Sequence, residues 1–325
     1  MNLVNEDIIY EFFKRLSITD AYQLSIVSST FYNIFESSKL WNNYAYKTID
    51  LNILNVIQTK CNKLTYKKFI DFKKIKLFKL EKNVLLLFQR ITLRLQCKLT
   101  SIPSEIGQLV NLQQLALYNN LITSIPSEIG QLVNLQQLYL FNNRITSIPS
   151  EIGQLVNLLQ LGLSNNLITS IPAEVCLLVN LQEINLSHNQ ITSIPPEIGQ
   201  LANLRHLYLY DNRIISIATE IGHLVNLQEL YLFDNKIMSI PSEIGQLVNL
   251  RRLYLHTNKI TLIPTEICQM GNLQQLDLSD NQITSIPSEI GQLVNLQKLN
   301  LSSNQIASIP PEISQLANLQ DNRYL

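Results

Sequence analysis

Tyr208, Tyr231 and Tyr254 stand 23 residues apart, and Tyr210, Phe233 and His256 each follow two residues later. Asp211, Asp234, Arg213, Lys236, Arg252 and Lys259 flank them. Tyrosine and arginine concentrate in the few residues that dominate protein–protein binding. The chemistry on offer here is recognition. Bond-making has no comparable foothold. The four histidines, His188, His206, His223 and His256, fall in different contexts, and Cys61, Cys97, Cys176 and Cys268 are widely scattered. No CxxC or Cys/His cluster has the spacing of a metal site, and no phosphate-cradling glycine loop or nucleophile motif occurs. Ten glutamates from Glu105 to Glu312 recur at one spacing and read as a solvated row. The expectation is a binding protein with no catalytic, cofactor-binding or metal-binding residue and no cofactor.

A repeat positions these side chains. Its asparagine returns every 23 residues from Asn120 to Asn304, preceded by leucines such as Leu112, Leu115 and Leu117 and followed by isoleucines from Ile122 to Ile306. Alternation in LxL is that of a strand with one buried face. The asparagine sits where the chain turns, and its amide can donate to and accept from the backbone of the neighbouring coil, so stacked copies predict a ladder of satisfied amides. In SIPSEIGQLVNL, proline limits regular structure and a short helical turn points Ile106 and Leu109 inward. Gly107 and its equivalents mark a place with little room. The pattern LxxLxLxxNxI resembles the leucine-rich repeat. That resemblance implies an α/β solenoid, a horseshoe with a parallel β-sheet on its concave face. One coil cannot stand alone, since its buried aliphatics do not offset the ordering of its backbone; each must cover its neighbour's apolar edge.

On that sheet, Tyr208, Tyr210, Tyr231, Phe233, Tyr254 and His256 form an exposed aromatic stripe, which with Arg213 and Arg252 is the expected substrate-binding site. A smaller aromatic pair, Tyr139 with Phe141, lies three coils earlier. Ala218 stands where the repeat calls for proline, which predicts a local loosening. Near Leu93 the repeat begins one residue short, with Cys97 near the asparagine position. At the far end IPPEISQLANLQ runs into DNRYL, and no further strand is expected there.

Charge balances over the 325 residues but not locally. Residues 51–100 hold 12 basic against 2 acidic side chains, whereas residues 101–325 hold 9 against 17. The repeats are therefore a poor nucleic-acid surface, and the basic segment reads as a solvated helical face. No apolar run is long enough to span a bilayer. The opening MNLVNEDIIYEFF carries acids where a signal peptide carries basic charge, and Cys176 and Cys268 fall four coils apart, too far to bridge. These features predict a reduced, cytoplasmic setting, extending to the nucleus or, for a protein of a pathogen or virus, to a host cytosol, and no membrane insertion.

The first 45 residues lack the repeat. Ile8, Ile9, Phe12, Phe13 and Leu16 have helical spacing, and Ser17 to Asp20 offers capping side chains for a second helix through Leu24, Ile26 and Val27. With Phe31-Tyr32 and Leu40-Trp41, this stretch resembles an F-box, a small all-α domain, although Val4-Asn5 replaces the family's opening Leu-Pro. The organisation is then an F-box-like domain at 1–45, a basic connector with a helical pattern at 46–87, and repeats over 88–325. An F-box followed by leucine-rich repeats resembles the substrate receptors of cullin–RING ubiquitin ligases. By that resemblance Ile8, Ile9, Phe12, Leu16, Leu24, Val27 and Trp41 form the core and the face for a Skp-type adaptor and cullin, while the repeats hold an unidentified protein substrate. The SIPxEIGxLxNLxxLxL consensus is also similar to intracellular Ras-pathway scaffolds, in which case the N-terminal helices would only cap the solenoid.

Overall fold

The computed structural model describes residues 92–95 and 98–323. The residues expected to build the F-box and the connector, together with Cys61 and Cys97, lie outside them. The repeats belong to a compact unit running from Phe88 to Leu325.

One parallel sheet of eleven strands, paired in sequence order, forms the concave face. It opens with β1 (Thr92–Arg94), β2 (Gln114–Ala116), β3 (Gln137–Tyr139) and β4 (Gln160–Gly162). Next come β5 (Glu183–Asn185), β6 (His206–Tyr208), β7 (Glu229–Tyr231) and β8 (Arg252–Tyr254). It closes with β9 (Gln275–Asp277), β10 (Lys298–Asn300) and β11 (Asp321–Arg323). From β2 onward the register repeats the sequence period, Leu115 facing Leu138 and Leu138 facing Leu161. Leu93 pairs with Leu115, one residue short of that period, as expected.

The back of each coil is a single 3₁₀ turn such as Ser127–Gln131. Pro126 sits before it at φ −72° and ψ 152°, and its carbonyl accepts from the Ile129 N–H at 3.1 Å. Two further bonds of the same reach follow, Leu132 to Ile129 and Leu135 to Leu132. Proline presets the entry, and the short i to i+3 bonds return the chain within one turn. Leu115, Leu117, Ile122, Ile129, Leu132 and Leu135 have no solvent exposure; burying each contributes about 2 kcal/mol. The asparagine ladder joins the coils. Asn166 Nδ2 donates to the carbonyls of Leu140 and Leu163, both at 3.0 Å, while its Oδ1 accepts from the Ile145 N–H at 2.9 Å. A second ladder, not foreseen from the sequence, runs along the back: Asn134 Nδ2 donates to the Val110 carbonyl and Asn157 Nδ2 to that of Val133, each at 2.8 Å.

Two expectations are corrected. Ala218 causes no loosening, because its φ of −65° and ψ of 142° match those of Pro241 at −70° and 150°, and the 3₁₀ turn after it forms as elsewhere. Alanine can adopt the proline geometry that the surrounding coils impose. The chain also adds a last strand after all: β11 pairs with β10, Asn322 facing Leu299, and the Gln320 N–H donates to the Gln297 carbonyl at 2.8 Å. Strand pairing uses backbone groups that every non-proline residue carries, so the polar run Asp321-Asn322-Arg323 suffices.

Candidate functional site

Because strands β6 to β8 are in register, equal repeat positions stack. Tyr208 faces Tyr231 and Tyr231 faces Tyr254, with ring centroids 4.9 and 4.6 Å apart. One alternation along, Tyr210, Phe233 and His256 stack at 4.4 and 4.3 Å, with interplanar angles of 9° and 11°. These separations follow the spacing of neighbouring strands, about 4.8 Å. The stripe is assembled as expected, but it is half-buried rather than exposed. Tyr231 and Tyr254, Tyr210 and Phe233, and Phe233 and His256 stack face to face, whereas Tyr208 is tilted by 46° against Tyr231.

Glu229, which sequence reasoning missed, organises the tyrosines. Its carboxylate accepts from the Tyr208 hydroxyl at 2.6 Å, forms an ion pair with Arg252, and lies 3.6 Å from His206 Nδ1. Only 15% of its side chain is exposed. Burial alone would raise the Glu229 pKa, but the Tyr208 hydrogen bond together with the Arg252 and His206 charges outweighs it and lowers the value. The reciprocal effects push the Tyr208 phenol well up, through burial first and Glu229 second, and raise Tyr231 to about 12 for the same leading causes. Arg252 is thus tied to Glu229, with 42% of its side chain still exposed, whereas Arg213 is exposed and has no ion-pair partner among the described residues. A signal for Glu229 was present: its column reads Gln114, Gln137 and Gln160 and then turns to Glu183, His206, Glu229 and Arg252. Asp211 and Asp234 flank the stripe for a backbone reason, since their φ values of 51° and 52° continue a left-handed row that includes Asn119, Asn142 and Asn165; Asn and Asp tolerate that region.

At the end of the stack, where Tyr254 and His256 have no aromatic neighbour in β9, a depression of about 290 Å³ opens against Gln275, Asp277, Lys298 and Asn300. His256 Nδ1 lies 3.9 Å from Asp277 there and has no hydrogen-bond partner among the described residues. Tyr118 and Phe141 stack separately at 4.4 Å, and the Tyr139 ring covers Gly162, where a Cβ would approach its Cδ1 to 3.0 Å. Gly162, Ser164, Asn185 and Ser187 separate the two aromatic groups. Among the described residues, no group of three His, Cys, Asp or Glu side chains could hold a metal, and no helix is long and apolar enough to cross a membrane. Cys176 and Cys268 are buried free thiols, each pushed up to about 12 by burial and nearby glutamates.

A stacked sheet with side chains arrayed on one face defines a solenoid binding protein. Family models agree along the chain: the leucine-rich repeat region matches residues 150–259 and 196–278, the leucine rich repeat residues 90–145 and 245–320, and the F-box domain residues 3–43. The chain belongs to the F-box and leucine-rich-repeat proteins. A leucine-rich-repeat protein of Leptospira interrogans is similar at 40% identity and a TM-score of 0.71, covering 76% of this chain and 65% of that one. The plant peptide hormone receptor RGFR1 in complex with RGF2 is similar at 37% identity and a TM-score of 0.64, over 69% of this chain and 38% of the receptor. The ectodomain of the Arabidopsis receptor kinase HAESA, in complex with a peptide hormone, shows 30% identity and a TM-score of 0.62, over 69% and 40%. The chain therefore spans less than two thirds of the length of each. No curated protein matches it.

Proposed function

We propose that this chain is the substrate receptor of a cullin–RING ubiquitin ligase, acting in the cytoplasm. The observation that carries the reading is the pairing of an F-box match at residues 3–43 with a repeat array. Ile8, Ile9, Phe12, Leu16, Leu24, Val27 and Trp41 would form the core and adaptor face, and residues 46–87 a stiff connector. The stripe from Tyr208 to His256, with Arg213 exposed beside it and Arg252 holding Glu229, would take the substrate. Two similar solved structures are receptors in complex with peptide hormones, which supports a polypeptide ligand. The chain would supply no bond-making group; it would raise the local concentration of substrate at the ligase.

The test is capture of a Skp-type adaptor and cullin by the full chain and by a version lacking residues 1–45. Capture by the full chain, lost on deletion, is expected. Absence of capture by folded protein would leave the repeats as a scaffold of the Ras-pathway type.

A further inference from the structure

Three coils depart from the repeat in more than their aromatics. At the third position after the ladder asparagine the repeat has Thr123, Thr146, Thr169 and Thr192, but Ile215 and Met238 occupy it in the coils of β6 and β7. At the fourth position it has Ser124, Ser147, Ser170 and Ser193, but Leu262 in the coil of β8. These apolar side chains are 50%, 56% and 60% exposed. Valines such as Val133 and Val156 are also exposed, but they recur along the array and so mark no site. Charge gathers in the same coils. Six of the nine basic side chains between residues 101 and 325 fall between Arg205 and Lys259. Arg205 and Arg251 precede β6 and β8; Arg213, Lys236 and Lys259 follow the ladder asparagines. All five are exposed, and none has an ion-pair partner among the described residues. Five acids share the segment, Asp211, Glu220, Glu229, Asp234 and Glu243. Asp211 pairs with His188 and Glu229 with Arg252, so within an otherwise acidic array these coils carry a slight local excess of positive charge.

Resting on the reading of the stripe as a binding surface, we infer that the coils of β6 to β8 take an acidic, amphipathic segment of a protein. Its carboxylates meet Arg205 and Arg251 on one side of the rings and Arg213, Lys236 and Lys259 on the other. Its apolar side chains lie on the ring edges and continue past the cations onto Ile215, Met238 and Leu262. Ring edges carry positive partial charge, so the stripe itself favours an anionic partner. A single-stranded nucleic acid is disfavoured, because base stacking needs open ring faces and here neighbouring rings cover one another.

The experiment pans a phage-displayed library of random peptides against the full chain and three variants. One is Arg213→Gln/Lys236→Gln/Lys259→Gln; a second is Ile215→Thr/Met238→Thr/Leu262→Ser. Both install residues that other coils carry at those positions, as at Gln190, Gln282, Thr192 and Ser193, so the fold is kept. The third is Tyr208→Ser/Tyr231→Ser/Tyr254→Ser. Selected peptides should be acidic and rich in leucine or aromatics, bind less well as salt rises, and lose roughly tenfold or more in affinity with either of the first two variants. Neutral or basic peptides, full binding by both of those variants, an empty selection, or tighter binding of oligothymidine would overturn the inference. Loss confined to the tyrosine variant would overturn it while leaving the stripe as a binding surface. Retention in all three would overturn both.

Discussion

Glu229 shows how much one side chain can organise. Tyr208 and Arg252 reach it from the coils on either side, so it fixes the pose of the stack as well as the local charge. Its pKa lies below the ordinary value of 4.5. The folded state therefore binds fewer protons than the unfolded chain as pH falls past that value, and the stabilisation present above it is lost on passing through the lowered folded pKa. Denaturant melts of the wild type and Glu229→Gln should show this. The wild type loses stability below about pH 4.5, and the variant's curve is flatter over that window. Equal slopes would mean that solvent screening removes the effect. Thr257 is a different residue-scale feature: a β-branched side chain held at φ 54°, beside the site, where such residues are strained.

The 3₁₀ turns pack back to back. A Cβ on Gly245 would lie 2.5 Å from the Glu266 carbonyl oxygen, and one on Gly222 2.6 Å from that of Glu243. Cys176 and Cys268 carry a Cβ at this position, and the turns that follow them sit farther away than neighbouring turns do elsewhere. The array thus absorbs a side chain by opening locally, while the strands on the opposite side keep their register. Ala218 is the inverse case, a residue freer than its geometry requires. Ala218→Pro matches the φ already adopted and restricts the unfolded chain, so it should stabilise the protein by about 0.4–1 kcal/mol. Denaturant midpoints measure this, and a lower midpoint would show that the Ala218 N–H is needed.

At the scale of the molecule, the array is a one-dimensional stack in which each coil contacts mainly its neighbours. Removal of one period in register should then leave a shorter folded solenoid. Deleting residues 150–172 takes out β4 and keeps the aromatic coils contiguous, whereas deleting residues 219–241 takes out β7 with Tyr231, Phe233 and Glu229. Both products should melt cooperatively with native circular dichroism. Only the second should lose peptide capture, and equal loss in both would place the binding surface elsewhere.

Much was legible in the residues themselves. The 23-residue period and the alternation in LxL assign inward and outward positions, because the pleat of a strand is a local property. That is why the buried leucines, the asparagine ladder and the two aromatic columns could be read in advance. The F-box reading rests on motif spacing and the family match, since those residues lie outside the described ones. Other features depend on contacts between coils: side-chain length and reach decide the Tyr208–Glu229–Arg252 cluster, the stacked rings and the wider gaps after Cys176 and Cys268, and backbone pairing decides the strand made from Asp321-Asn322-Arg323. Those contacts join residues about a period or more apart in sequence, and only stacking brings them together.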